Sequence, residues 1–320
     1  MQTVPRISLE RIDMAATVID PLFLRTPQFV CEPLGDALGA RVALKIETLN
    51  PIRSFKGRGA DWLVSRITSD TPLICASAGN FGQAMAYACR TRDRTLTVYA
   101  STRANPLKIE RIRALGARVV LHGADFDEAK LEAKRVAPNA VARFIEDSLD
   151  IETVEGAGSM GLEWLAFPER LDSLLIPLGN GAMLNGIASV IKTRSPSTRI
   201  IAVQATGAPA MVESWRTGRL ITGETVRTIA DGIGVRVPVP EALDDMRGLV
   251  DEALLVEDET IVQAMRLLLR HAGVVAEPSG AAGLAALIEH PELFAGQLVG
   301  TIVCGGNVSP DDMRRWLSEA

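Results

Sequence analysis

The segment Asn50-Pro51-Ile52-Arg53-Ser54-Phe55-Lys56-Gly57-Arg58-Gly59-Ala60 puts an amine in an unusual electrostatic position. It lies where a strand-like run, residues 41–48, gives way to a helix-like run, residues 55–67. A helix N-terminus carries partial positive charge and favours anions, so the ammonium form of a lysine there is disfavoured. Burial acts in the same direction. A neutral amine is what Schiff-base chemistry requires. The same residues also describe an exposed lysine in a basic turn with Arg53 and Arg58.

Three other stretches offer groups that a reaction would need. Gly179-Asn180-Gly181-Ala182-Met183-Leu184 follows the apolar run Leu174-Leu175-Ile176-Pro177-Leu178 and opens a helix. Backbone N–H groups in such a turn, with the helix dipole behind them, suit a phosphate; an ordinary tight turn is the alternative. The turn holds no lysine, which excludes a nucleotide P-loop. Leu184 stands where a dinucleotide fingerprint has its third glycine, and Ile201-Ala202-Val203-Gln204 brings no acid where one is due. Ser77-Ala78-Gly79-Asn80 also joins a strand to a helix, with a hydroxyl and a carboxamide that either face a ligand or simply cap the helix. Cys304 ends the last apolar strand, before Gly305-Gly306-Asn307. With no histidine beside it, it is a poor nucleophile, and a buried structural cysteine is the alternative.

Strands and helices alternate along the chain, which predicts an α/β fold with mostly parallel sheets. Strands are expected at residues 72–76, 95–100, 118–121, 142–145, 174–178, 200–204, 254–256 and 298–303. Residues 41–47 alternate polar and apolar, which predicts a half-buried strand. Ser8, Asn105 and Ser309 are placed to cap helices. Residues 22–33 read as a loop or extended arm, residues 218–240 as loop-rich, and residues 155–167 as a two-glycine loop leading into a helix. No linker, repeat or charged tail marks a boundary.

The 320 residues are 47% hydrophobic and 23% charged, with a net charge of −5, ordinary values for a globular protein with a sizeable core. No basic cluster with interleaved aromatics points to nucleic acid. No apolar run approaches the roughly 20 residues that span a bilayer. Met1-Gln2-Thr3-Val4-Pro5-Arg6 lacks the apolar core of a signal peptide, so a cytoplasmic protein is expected. Cys31, Cys75, Cys89 and Cys304 are scattered, as are His122, His271 and His290, so neither a disulfide framework nor a zinc site is expected.

Six motifs, these four and two more, occur in one order: Ser54-Phe55-Lys56 with Gly57-Arg58-Gly59-Ala60, Ser77-Ala78-Gly79-Asn80, the Gly179 turn, Ala230-Asp231-Gly232, Glu277-Pro278-Ser279-Gly280 and Cys304-Gly305-Gly306-Asn307. The series resembles the serine/threonine dehydratase family of pyridoxal-phosphate enzymes, of the tryptophan-synthase-β type (fold type II), over residues 26–307. The resemblance implies two three-layer αβα domains with mostly parallel sheets and the cofactor, pyridoxal 5'-phosphate, between them. Residues 72–148 would form the small domain, and residues 1–71 with 149–320 the large one.

By the same resemblance Lys56 carries the cofactor as a Schiff base and later takes the substrate Cα proton, with Phe55 beside it. Asn80 meets the cofactor's ring hydroxyl, and Gly179, Asn180, Gly181, Ala182 and Met183 hold the phosphate. Cys304 faces the pyridine nitrogen. Ser77, Ala78, Gly79, Asn80 and Phe81 receive the amino-acid substrate, with Ser77, Gly79 and Asn80 as donors to its carboxylate. A neutral thiol does not keep the pyridine protonated, which weakens the ring as an electron sink and favours early loss of a β-substituent. Racemases of the family resemble Ser-Ser-Gly-Asn, and here Ala78 replaces the second serine and transfers no proton. The implied reaction is dehydration and deamination of a β-hydroxy amino acid such as serine or threonine to a 2-oxo acid and ammonia. A β-replacement synthase, a racemase and a non-catalytic pyridoxal-phosphate binder are the alternatives.

The sequence departs from the family at Ile52, usually Thr, at Arg53, usually small, and at Phe81, often His. Arg53 suggests an acidic substrate, and Phe81 a larger apolar β-substituent. Gln204, Ala208 and Ala210 stand where relatives with a divalent-cation site carry acids, so no metal is expected. The family is often dimeric, and a homodimer is expected on that ground alone.

Overall fold

The computed structural model describes residues 5–318. Residues 1–4, part of the segment read above as lacking a signal-peptide core, lie outside it. The larger sheet has six strands in the order β1 (Gln28–Val30), β2 (Arg41–Ile46), β10 (Leu298–Val303), β7 (Ser173–Pro177), β8 (Arg199–Ala205) and β9 (Glu252–Val256). Only β1 runs antiparallel to its neighbour. The smaller sheet has four parallel strands in the order β5 (Arg118–Leu121), β4 (Leu96–Ala100), β3 (Leu73–Ala76) and β6 (Arg143–Ile145). The first helices are α1 (Leu9–Val18), α2 (Glu32–Leu38), α3 (Lys56–Arg66), α4 (Asn80–Thr91), α5 (Pro106–Ala114) and α6 (Phe126–Val136). There follow α7 (Ile151–Leu165), α8 (Ala182–Arg194), α9 (Ala210–Thr217), α10 (Pro240–Met246), α11 (Asp258–Ala272), α12 (Pro278–Glu289) and α13 (Pro310–Leu317). The protein is an α/β structure of the expected class.

The Ser8, Asn105 and Ser309 side chains accept from Arg11 N, Leu107 N and Asp312 N, the capping read from the sequence. Three expectations fail for tertiary reasons. Residues 22–33 are no simple arm: they hold β1, and Cys31 N bonds Val42 O before Pro33 enters the first turn of α2. Strand β2 is buried on both faces rather than half-buried, because the charge on its polar side is neutralised inside the protein. Lys45 Nζ donates to Glu163 Oε2 at 2.6 Å, and Arg58 bonds both oxygens of Glu47 at 2.8 Å and Oε1 of Glu163 at 2.6 Å. These four charges tie β2, α3 and α7 together in the interior.

The third correction concerns residues 155–167. Glycine suggested a loop there, but α7 runs unbroken from Ile151. Its glycines let helices touch. A Cβ on Gly156 would stand 2.6 Å from Arg58 O and from Gly59 Cα, and one on Gly59 would stand 2.6 Å from Thr153 O. Backbone on both sides blocks relief by side-chain movement. Gly156→Ala is therefore expected to destabilise the fold by about 1–3 kcal/mol or more. Urea unfolding should show it as a lower midpoint at constant slope; an unchanged midpoint would mean that α3 and α7 separate freely.

Candidate active site

Ligands in parallel α/β sheets gather beyond the carboxyl ends of strands. Here the ends of β3 and β6 in one sheet, and of β7 and β10 in the other, open on one cleft of about 810 Å³. Asn50 shapes the entry to Lys56: its Oδ1 accepts from Ile52 N and Ser54 N, and its Nδ2 donates to Glu47 O. The following residues are stitched to the end of β10. Phe55 N bonds Cys304 O at 3.0 Å, Ser54 bridges Gly305, and Gly306 N bonds Arg53 O. Lys56 then opens α3 and points into the cleft, 4.6 Å from its Nζ to the centre of the Phe55 ring.

The amine is not isolated. Lys56 Nζ donates to Asp147 Oδ2 at 2.5 Å, a partner 91 residues away that sequence reasoning missed. Across the cleft, α4 begins at Asn80 with no side-chain cap. The first N–H groups of any helix lack intrahelical partners, so the α4 start offers donors to an anion. Gly79 is not among them: its N–H is taken by Ser77 Oγ at 3.1 Å, which corrects its expected role as a donor. At the start of α8, Gly181 is left-handed, with φ +93°, and again no side chain caps the helix. Asn180 turns away, its Oδ1 accepting from Val239 N, so no side-chain acceptor competes for the first N–H groups of α8, where Ala182 and Met183 line the cleft.

A buried carboxylate organises the floor. Glu277 Oε1 accepts from Asn80 Nδ2 at 2.6 Å, and Oε2 accepts from Asn307 N at 3.0 Å. Asn307 Nδ2 in turn donates to Asn80 Oδ1 at 2.8 Å and to Ile52 O. Burial, then the charge of Asp231, push the Glu277 carboxyl up to about 7, against Lys108, Asn80 and Asn307. An acid immediately before a proline at a helix start was visible in the sequence, but only the fold shows that it fixes Asn80. Raised from 4.5, Glu277 contributes stability that is present below about pH 4.5 and lost as pH rises through 7. The stability of cofactor-free wild type relative to Glu277→Gln is expected to fall by about 3 kcal/mol across that window. Urea midpoints at pH 4.5, 6 and 8 measure it, and a constant difference would refute it.

Cys304 lines the cleft beside the buried Ser279, whose Oγ has no hydrogen-bond partner; its Sγ lies 3.6 Å from Ser279 O. Burial, then Glu277, hold the thiol above its ordinary value, so it stays protonated. Phe55, Ser77, Ala78, Phe81, Gly179, Ala182 and Met183 also line the cleft. Arg53 does not: its backbone is left-handed, with φ +53°, and its side chain lies in solvent. Ile52 is in the core. Arg53 is therefore withdrawn as a substrate residue. Gln204 is buried, accepting from Val212 N and donating to Ile233 O. Among the described residues no group of three or more His, Cys, Asp or Glu forms a metal site, and no helix is long and apolar enough to cross a membrane.

The family described as "Pyridoxal-phosphate dependent enzyme" matches residues 19–305. The chain belongs to it. Pyridoxal 5'-phosphate is the cofactor of this family, and the two-sheet architecture is its fold type II. Among its relatives, the L-threonine ammonia-lyase of Thermotoga maritima is 32% identical over 98% of this chain and 79% of its own. The L-threonine dehydratase catabolic TdcB of Staphylococcus aureus is 31% identical over 96% of this chain and 91% of its own. Among solved structures, the threonine deaminase of T.th. superposes with a TM-score of 0.89 at 31% identity, covering 94% of this chain and 99% of that one. Maize serine racemase superposes with a TM-score of 0.90 at 28% identity, covering 97% and 96%. The fold of this pyridoxal-phosphate enzyme is thus shared by eliminating and racemising relatives, and its own side chains must distinguish the two.

Proposed function

We propose that the protein is an ammonia-lyase that eliminates the β-substituent of a β-hydroxy amino acid such as serine or threonine, giving a 2-oxo acid and ammonia. The observation that carries the reading is the cleft itself: an amine, two uncapped helix starts and a neutral thiol face one space, with Ala78 where a second acid–base group would stand. The residues fit the cofactor. The left-handed Gly181 turn presents bare N–H groups to a phosphate, Lys56 offers the amine, and the unpartnered Ser279 Oγ and the Cys304 thiol offer polar contacts to a heteroaromatic ring. Lys56, the turn at residues 179–183, Asn80 and Cys304 would hold it, and when bound it supplies the electron sink that labilises the substrate Cα proton. We treat residues 72–148, which contain the whole smaller sheet, as the small domain.

The protein's own part follows from this geometry. The N–H groups at the α4 start bind the substrate carboxylate. Phe81 and the buried cleft walls limit water. Lys56 takes the Cα proton, and Asp147 lies on the lysine's own side. Ala78 cannot return a proton from the opposite face, so the β-substituent leaves instead of the centre inverting. The relatives named as threonine ammonia-lyase and dehydratase support this reading. The test is 2-oxo acid release by the holoenzyme from a panel of L- and D-β-hydroxy amino acids: serine, threonine, 3-hydroxyaspartate and phenylserine. Product from at least one is expected, and no product from any would sink the proposal. Chiral chromatography of recovered L-serine should show no D-isomer.

A further inference from the structure

A carboxamide is a donor at one end and an acceptor at the other, so the groups around it decide which end faces a ligand. Asn80 lines the cleft with such a group. Its Oδ1 accepts from Asn307 Nδ2, and one Nδ2 hydrogen goes to Glu277 Oε1. The second Nδ2 hydrogen has no partner among the described residues. Asn307 is buried and saturated. Its Nδ2 donates to Asn80 Oδ1 and to Ile52 O, each at 2.8 Å, and its Oδ1 accepts from Arg111 Nη1 at 3.0 Å. These partners allow one direction only. Arg111 has no acceptor and the Ile52 carbonyl has no donor, so Asn307 turns its oxygen to α5 and its nitrogen to Asn80. That occupies the Asn80 oxygen and leaves the nitrogen end for the cleft. Arg111 acts from outside: it sits on α5, 196 residues along the chain from Asn307, and does not line the cleft. Gly305 packs its backbone against the pair, since a Cβ there would stand 3.0 Å from Asn80 Nδ2.

We propose that Arg111 is a positioning residue for the cofactor: acting through Asn307, it holds the Asn80 carboxamide with its N–H end toward the cofactor's ring oxygen. The proposal rests on the reading above in which pyridoxal 5'-phosphate is held by Lys56 and Asn80, and it does not depend on which reaction follows. An N–H donor stabilises the ring oxygen as an anion, whereas a carboxamide oxygen in its place would accept from a neutral hydroxyl. With the ring oxygen ionised, the proton it gives up rests on the nitrogen that joins Lys56 to the cofactor, the form most open to attack by a substrate amine. Without Arg111 the Asn307 oxygen is a buried acceptor with no partner, and its carboxamide loses one of the two groups that set its direction. The oxygen can then turn to take a hydrogen from Asn80 Nδ2, which turns the Asn80 oxygen toward the ring. Glu277, its carboxyl pushed up to about 7 by burial and then by Asp231, can meet that oxygen as the acid.

The holoenzyme reports this in its spectrum. Bound cofactor with the ring oxygen ionised absorbs at longer wavelength than with it protonated. The ratio of the two bands reads the hydrogen bonds of the site, not the amount of folded protein. The longer-wavelength band should dominate the wild type at neutral pH. In Arg111→Met the share of the shorter-wavelength band should rise about 3-fold or more, and the cofactor concentration that half-saturates the cofactor-free protein should rise about 3- to 10-fold. Arg111→Lys keeps a donor-only cation and should keep the wild-type ratio. Arg113→Met, at an exposed position of the same helix, removes the same charge and should also keep it. A wild type dominated by the shorter-wavelength band overturns the proposal without recourse to any variant. So does an Arg111→Met protein with the wild-type ratio, or an equal shift in Arg111→Lys or Arg113→Met, which would assign the effect to packing or to charge. Spectra as expected with no 2-oxo acid formed would overturn the elimination reading and leave Arg111 in its role. Turnover with an unshifted spectrum in Arg111→Met does the reverse, and a protein that takes up no cofactor removes both.

Discussion

Lys56→Ala is expected to lower kcat/KM for 2-oxo acid formation by about 1,000-fold or more and to abolish the visible absorption band of the covalently bound cofactor. Removal of a general base alone typically costs two to four orders of magnitude. This lysine is asked to anchor the cofactor as well, so the effects compound. No other amine replaces it. Lys108 and Lys130 also line the cleft, but they project from α5 and α6, and neither lies in the Ser54-Phe55-Lys56 segment that carries the resemblance to the family. Lys45 is wholly buried, does not line the cleft and is bound to Glu163. The variant should fold, because Lys56 itself is partly exposed and its single ion pair lies at the cleft wall. A variant that keeps both the band and the activity would assign the chemistry to another residue.

The second large effect is on stability. Arg58 is fully buried and satisfies Glu47 through two hydrogen bonds and Glu163 through two more. Arg58→Met would leave Lys45 as the cation facing those carboxylates, with the uncharged donors Thr26 Oγ1 to Glu47 and Arg25 N to Glu163. Breaking one partner out of a buried ion network typically costs 3–5 kcal/mol, because the remaining charge is buried without compensation. Urea unfolding should show a loss of about that size; a loss under 1 kcal/mol would mean that the network relaxes or hydrates. The same network sets an acid limit. Burial acts to raise the Glu163 carboxyl, but Arg58 and then Lys45 prevail and hold it down at about 2. A depressed acid contributes stability that is present above its unfolded value of 4.5 and lost as pH falls toward 2. That contribution is about 3 kcal/mol and disappears progressively over this interval. In Arg58→Met the acid-sensitive part should shrink accordingly. The network has a functional side too, since Arg58 lies two residues after Lys56 and fixes the first turn of α3 against β2 and α7.

Much of the site was legible because it is built from local devices. A strand followed by glycine and a helix start is one of the local arrangements that suits an anion. Two such points, before α4 and α8, together with the Lys56 segment and the end of β10, bring Asn80, Gly181, Lys56 and Cys304 to one cleft. The remainder was not legible because it depends on partners far away in the chain. Lys45 looked like the wet side of a half-buried strand, and only Glu163, 118 residues on, makes its burial tolerable. The glycines at 156 and 158 read as loop signals, since backbone freedom is the commonest use of glycine; here their missing side chains admit α1, α3 and α8. Arg53 is a neighbour of Lys56 in sequence, yet the Asn50 turn rotates it into solvent. Asp147 follows a three-residue strand with no motif around it, and its role depends on the one contact it makes with the lysine.

The most direct measurement is reduction of the holoenzyme with borohydride, followed by digestion and mass mapping of the phosphopyridoxyl label. The label is expected on Lys56 and nowhere else, at close to one per chain. Label on Lys108 or Lys130, or a cofactor that dialyses away after reduction, would contradict the assignment of Lys56 and of the cleft chemistry built on it.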